Sequence, residues 1–131
     1  MANRRFGSQF RFGFERMPVS LFAKLTFGSS GAVTLTHGLG IKSVVKNSTG
    51  DYTITLQDNY NSLMCVKHVY DETSNSGTAP LAPSMFIKNN AVTSTTPTIE
   101  IVLNSAGTAT NPASGEILLL EIILNNSSVT T

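Results

Sequence analysis

The sequence predicts an all-β protein: an antiparallel β-sandwich or jelly-roll-like barrel with an extended N-terminal arm. Three observations support this prediction. Apolar and polar residues alternate with a period of two in most segments, turn-forming residues recur about every ten positions, and no segment has a convincing long helical pattern. A chain of 131 residues fits one compact domain. We therefore expect an arm at residues 1–17 and a single β domain at residues 18–131.

The strands are expected in the following order. Residues 19–27 and 32–36 alternate on either side of a Gly-Ser-Ser-Gly turn and form a hairpin, although Pro18 could equally begin a short helix. A glycine-punctuated corner at residues 37–40 leads into a strand at 41–46, and residues 52–57 are the clearest strand in the chain. The remaining strands are expected at residues 62–70, 85–87, 98–104 and 116–124, with loops at 71–83, 89–97 and 105–115.

The last strand is apolar on both of its faces. One face carries Leu118, Leu120, Ile122 and Leu124, and the other is equally apolar except for Glu121. One face of an antiparallel sheet commonly meets water. Two interpretations remain: the strand is central and covered by a loop or the arm, or it is buried at a subunit interface through its leucine-rich face, Leu118 to Leu124, or through the opposite face.

The overall charge is low. Only 13 % of the residues are charged, the formal net charge is +1, and Ser, Thr and Asn supply 42 of the 131 residues. The polar surface must therefore be mostly uncharged, and the chain as a whole has too little charge to attract nucleic acid or a membrane. No apolar run reaches the roughly 18 residues that a membrane span needs.

The N-terminal arm concentrates the basic charge. All four arginines lie in the first sixteen residues, where only Glu15 opposes them, while the rest of the chain has five lysines against seven acidic residues. Arginine and aromatic side chains dominate interface hot spots, which predicts a protein-binding segment. The expected partner-binding residues are Arg4, Arg5, Phe6, Phe10, Arg11, Phe12, Phe14 and Arg16.

Two other interpretations of the arm stay open. Residues 10–14 weakly match a strand that stacks RNA bases, which would make the arm a site for single-stranded nucleic acid. The βαββαβ pattern expected around such a strand is missing, so the sequence disfavours nucleic acid. The arm could also fold back on its own domain as an edge strand. Arg, Gly, Gln and Ser interrupt its apolar residues, so we expect no signal peptide.

The sequence lacks a recognisable catalytic or metal-binding motif. Cys65, the single cysteine, lies in an apolar run and is expected to be a small buried residue. His37 and His68 lack the spacing of metal ligands. Cys65 and His68 would face opposite sides of a strand, and Glu100 and Glu121 could meet only if the fold brought them together. We therefore expect no enzyme activity, no metal and no cofactor.

Two stretches resemble a known family. Residues 50–56 read Gly-Asp-Tyr-Thr-Ile-Thr-Leu, and residues 107–116 read Gly-Thr-Ala-Thr-Asn-Pro-Ala-Ser-Gly-Glu before the apolar strand at 117–124 and the Asn-Asn-Ser-Ser at 125–128. In these patterns the chain resembles small virion structural proteins of tailed bacteriophages, of the capsid decoration or cement type. The resemblance covers residues 38–128.

The resemblance implies a function. Such proteins are β-rich, often homotrimers, and bind the major capsid protein on the capsid exterior, where they stabilise the shell against the pressure of packaged DNA. No catalytic residue or cofactor is implied. We therefore expect a non-enzymatic virion protein, made in the host cytoplasm and located on the capsid surface. The alternative is a carbohydrate- or receptor-binding sandwich of a phage fibre or tail that uses the loops at residues 71–83 and 105–115.

Overall fold

The computed structural model describes residues 18–71 and 84–126, and in these ranges the chain is all-β. Two antiparallel sheets pack together, which confirms the predicted β-sandwich class. The N-terminal arm, nearly all of the predicted loop at residues 71–83, and residues 127–131 lie outside the described residues.

Nine strands occur in the described ranges. They are β1 (Pro18–Phe27), β2 (Val33–Leu39), β3 (Ile41–Ser48), β4 (Asp51–Leu56), β5 (Ser62–Asp71), β6 (Ser84–Ala91), β7 (Thr98–Ser105), β8 (Thr108–Ala109) and β9 (Ile117–Asn125). Sheet I has the strand order β2-β1-β9-β5. Sheet II has the order β3-β4-β7-β6, and β8 pairs with β7.

The pairing of β1 with β9 lies at the centre of sheet I. The ladder runs from Pro18 opposite Asn125 to Thr26 opposite Ile117. β2 pairs with the other side of β1, and β5 with the other side of β9. Residues 19–27 therefore form a strand rather than the alternative short helix, because both edges of their backbone have a ladder partner.

The core lies between the two sheets. Along each central strand every second side chain points inward, as the period-two pattern predicts. The largest fully buried side chains are those of Leu25, Phe27, Tyr52, Ile54, Leu56, Ile99, Ile101, Leu103, Leu118, Ile122 and Leu124.

The leucine-rich face of β9 belongs to this core. Leu118, Ile122 and Leu124 are 0 % exposed and Leu120 is 3 % exposed. The prediction that these four residues form an oligomer interface was wrong, because they pack against sheet II of the same chain. The alternative interpretation, a central strand, is the one observed.

One end of the sandwich is closed by contacts between distant segments. The Tyr52 hydroxyl donates to the Gly31 carbonyl at 3.0 Å, and the Tyr52 ring meets Phe27 edge to face with centroids 5.4 Å apart. Burial raises the pKa of Tyr52 to about 12. At the same end the Gly50 amide donates to Asn111 Oδ1 at 2.9 Å. These bonds tie the first hairpin to β4 and to the segment before β9.

The corner between the sheets depends on a glycine. Gly40 connects β2 to β3 with a φ of +74°, a conformation that favours glycine. A Cβ atom at Gly40 would lie 2.4 Å from Leu21 Cδ2, and Leu21 is part of the core. A side chain at this position would therefore strain the backbone and displace a core residue.

The sequence and the structure differ at three elements. The glycine corner is shorter than predicted, since residues 37–39 belong to β2. β6 spans eight residues instead of the predicted three, because residues 88–91 pair with β7 despite their polar side chains. The predicted loop at 105–115 contains the short strand β8.

Helical structure in residues 18–71 and 84–126 is limited to a 3-10 turn at Ser29–Gly31. Accordingly, this part of the chain has no helix long and apolar enough to cross a membrane.

Adjacent leucines on β9 test the burial of this strand. Leu118→Ala should lower the free energy of unfolding by about 3 kcal/mol, because it leaves a cavity in the core. Leu119→Ala, the matched control on the opposite face, should lower it by less than about 1 kcal/mol. Urea unfolding followed by circular dichroism measures both values, and equal losses would contradict the assigned orientation of β9.

Candidate docking surface

The structure keeps apart the two residue pairs that were considered as candidates for catalysis, Cys65 with His68 and Glu100 with Glu121. Cys65 lies opposite Ile123 and His68 opposite Leu120, so the two side chains occupy opposite faces of β5. Glu100 lies on the outer face of sheet II, while Glu121 lies on the outer face of sheet I. Neither a Cys/His pair nor a carboxylate pair is formed.

The described segments also contain no group of three or more His, Cys, Asp or Glu side chains that could hold a metal ion. The two histidines lie on different strands: His37 is opposite Lys24 on β1, and His68 is opposite Leu120 on β9.

Cys65 is exposed, so the expectation that it is buried was wrong. β5 is an edge strand, and its register shifts between Leu63 and Cys65. Leu63 points toward the core, whereas Cys65 lies opposite Ile123 on the outer face. The apolar neighbours of Cys65 in the sequence gave no sign of this shift.

The outer face of sheet I carries a band of exposed apolar side chains, which we call the apolar face. Phe22 is 48 % exposed, Leu39 61 %, Val69 63 % and Leu119 41 %. The apolar face consists of Phe22, Leu39, Val69, Ile117, Leu119 and Ile123.

Strand register places members of the apolar face on all four strands of sheet I, with Lys24 and Glu121 at positions between them. Phe22 on β1 lies opposite Leu39 on β2, and Leu119 on β9 lies opposite Val69 on β5. Phe22 and Leu119 are diagonal neighbours on the β1–β9 pair. Phe22 lies opposite Glu121, and Leu119 is two residues before Glu121 on β9. A group of exposed apolar side chains on one face of a folded protein is typical of an interaction site.

Charged side chains on the same face do not cover the apolar face. Lys67 and Glu121 form an ion pair at 3.7 Å, and the Lys67 side chain is mostly exposed. Lys24 lies opposite Leu119, and Asp71 lies opposite Ile117. Both signs of charge are present, and exposed pairs of this kind contribute little to stability.

The outer face of sheet II has the opposite character, because a polar cluster occupies its centre. Lys88 Nζ donates to Asp51 Oδ2 at 2.6 Å and to Glu100 Oε1 at 2.8 Å. Asn47 Nδ2 donates to Asp51 Oδ1 at 3.0 Å and to Thr53 Oγ1 at 2.8 Å. The polar groups of this face satisfy one another within the single chain.

The cluster controls the ionisation of its members. Burial raises the pKa of Asp51, but the hydrogen bonds from Lys88 and Asn47 outweigh burial and hold the pKa below its usual value of 3.8. The hydrogen bonds to Asp51 and Glu100 raise the pKa of Lys88. Asp51 is therefore ionised, although the residue is only 6 % exposed.

Of the two predicted ligand-binding loops, the one at residues 105–115 lies within the described residues. Residues 72–83 lie outside the described residues. In the loop at 105–115, the Ala113 amide donates to Glu116 Oε2 at 2.7 Å and the Gly115 amide donates to the Phe27 carbonyl at 2.7 Å. The Tyr70 hydroxyl donates to the same oxygen of Glu116. These bonds fix the approach to β9.

The predicted arm residues all lie outside the described residues. They are Arg4, Arg5, Phe6, Phe10, Arg11, Phe12, Phe14 and Arg16. What sequence reasoning missed is the set of exposed residues that accompany β9 on the outer face of sheet I: Phe22, Leu39 and Val69. The available signal was Phe22 at a polar position of the β1 alternation, together with the second apolar face of β9.

Comparison with known proteins gives no family for the chain. No protein-family model matches it, and the searches of curated proteins and of solved structures find no significant match.

Because Asp51 is charged, the contribution of the polar cluster to the free energy of unfolding depends on pH. Because the pKa of Asp51 is lower in the folded than in the unfolded chain, its stabilisation is present above about pH 4 and is lost as the pH falls through the folded-state pKa. Asp51→Asn should cost about 1–2 kcal/mol at pH 7, and this cost should decrease as the pH falls below about 4. Urea unfolding across this range measures the difference.

Glu121→Gln is the matched control for this prediction. Its carboxylate belongs to the exposed pair with Lys67, so the loss should stay below about 0.5 kcal/mol at every pH. An unfolding cost for Asp51→Asn that is constant between pH 7 and pH 3 would contradict the role of the ionised carboxylate.

Proposed function

We propose that the chain is a non-enzymatic virion structural protein that binds the capsid surface of a tailed bacteriophage as an oligomer, with the major capsid protein as its partner. The observation that carries this proposal is the apolar face. A single copy leaves Phe22, Leu39, Val69 and Leu119 in water, although the same chain satisfies the polar groups on its other sheet.

The free energy of apolar burial and the shape of the apolar face favour a protein partner over a small ligand. Burial of one half-exposed Phe or Leu side chain contributes about 1 kcal/mol, so the apolar face offers several small contributions spread over one sheet. A flat, distributed surface of this kind suits a protein neighbour more than a small molecule, which usually binds in a concave pocket. On a repeating capsid lattice, linked weak contacts add through high effective concentration.

The N-terminal arm supplies a second contact. Its four arginines and four phenylalanines match the residue types that dominate interface hot spots. The rest of the chain has an excess of acidic residues, so the basic charge that could pair with carboxylates on a neighbour is concentrated in the arm. The phage resemblance of residues 50–56 and 107–128 supports the assignment to a capsid exterior and favours a trimer.

Capsid attachment tests the proposal. Capsids stripped of this chain are mixed with purified variants and sedimented, and the bound fraction is measured. Deletion of residues 2–16 should lower attachment at least tenfold, because the arm contacts are lost. Leu119→Lys should have a similar effect, because it places a charge in the apolar face.

Val45→Lys is the matched control for Leu119→Lys. Val45 is 56 % exposed and lies on β3 opposite Thr53, at the outer face of sheet II. This variant should attach like the unaltered chain. Circular dichroism verifies that all three variants are folded. Full-strength attachment by the deletion variant and by Leu119→Lys would overturn the proposal, as would glycan binding without capsid attachment.

A further inference from the structure

The apolar face is exposed in the described residues, and the spacing of the phenylalanines in the arm suits packing on it. Phe10, Phe12 and Phe14 alternate with Arg11, Gly13 and Glu15. In an extended segment, residues two apart point to the same side, so the three rings would form one row. Along β9, Ile117 and Leu119 of the apolar face recur with the same spacing of two residues.

The charges of the arm also fit this surface. Two acidic residues lie among the apolar side chains. Glu121 lies opposite Phe22, and Asp71 lies opposite Ile117. The existing partner of Glu121 is Lys67 at 3.7 Å, a long and exposed contact. An arginine can form a shorter, bidentate pair with a carboxylate. Arg16 shares the side of the three phenylalanines in an extended arm, so it can pair with Glu121 while the rings cover the apolar neighbours of Glu121.

The position of β1 favours the apolar face of another copy. β1 begins at Pro18, which lies opposite Asn125 at one end of the central pair of sheet I. A residue that precedes a proline is restricted to extended conformations, which opposes an immediate reversal over the same sheet. Seventeen residues can span up to about 56 Å, whereas the ten residues of β1 span about 33 Å. The arm is long enough to cross a neighbouring sheet.

We infer that Phe10, Phe12 and Phe14 of one copy pack on the apolar face of a neighbouring copy. This inference rests on the oligomer of the proposed function and specifies how its subunits are joined. Each copy then gives one arm and receives another, a head-to-tail contact that closes into a ring when the rotation between copies allows it.

The position of Cys65 makes a direct test available. Cys65 lies opposite Ile123, at the border of the apolar face, and is the single cysteine of the chain. A Phe12→Cys/Cys65→Ser chain is mixed with the unaltered chain and oxidised. A disulfide between residues 12 and 65 can then form only between two copies. We expect this disulfide, seen as a species of twice 14.0 kDa on a non-reducing gel and identified by peptide mass.

Two further variants complete the experiment. Phe14→Cys/Cys65→Ser keeps the ring of Phe12 and places the thiol of the arm two residues further along the same side. It should also cross-link to Cys65 of the unaltered chain, and it covers the case in which docking requires the Phe12 ring. In the matched control, the second chain carries Val45→Cys together with Cys65→Ser, so that its thiol lies on sheet II. This control should give at least tenfold less cross-linking with the Phe12→Cys chain.

Thiol reactivity of the unmutated chain provides an independent readout. Alkylation of Cys65 should be at least fivefold slower in the full chain than after deletion of residues 2–16, because the arm shields the thiol. Equal alkylation rates, or no 12–65 disulfide between copies, would overturn the inference. These measurements use the isolated protein, so capsid attachment that persists without a cross-link would overturn this inference and leave the proposed function standing.

Discussion

The pairing of β1 with β9 is the constraint on which the rest of the structure depends. It brings residues 18–26 and 117–125 together at the centre of sheet I. β2 and β5 can join this sheet only through those two strands. The inward residues of both strands form one half of the core, and their outward residues form most of the apolar face. One ladder therefore determines both the stability of the sandwich and its main exposed surface.

The two sheets meet water in different ways. On sheet II, Asp51, Lys88 and Glu100 satisfy one another, although Val45 and Phe86 on the same face are exposed. On sheet I, Phe22, Leu119 and their neighbours have no such internal partner among the described residues. More of the exposed large apolar side chains lie on sheet I, which suits this sheet to assembly. The proposed capsid attachment and the proposed arm exchange both depend on these side chains.

The candidate site shows why sequence reasoning identified β9 but named its buried residues, Leu118 to Leu124, as the interface candidates. The apolar character of β9 on both sides identified it as unusual, but Leu118 and Leu119 look alike in the sequence. Which of them faces the core depends on the register of β9 against its neighbours, and that is a tertiary property. The exposure of Cys65 has the same origin, because the shift in β5 that precedes it exists only in the paired sheet.

The sequence by itself determined the all-β class, the segments that became the main strands, and the concentration of Arg and Phe in the arm. Local alternation and turn residues are sufficient for these conclusions, because each depends on neighbouring positions. Only the tertiary structure decided the strand order, the face of β9 that is buried, and the cluster around Asp51, whose partner Lys88 is 37 residues away. These features depend on pairing between distant segments, and local patterns do not specify which strands become neighbours.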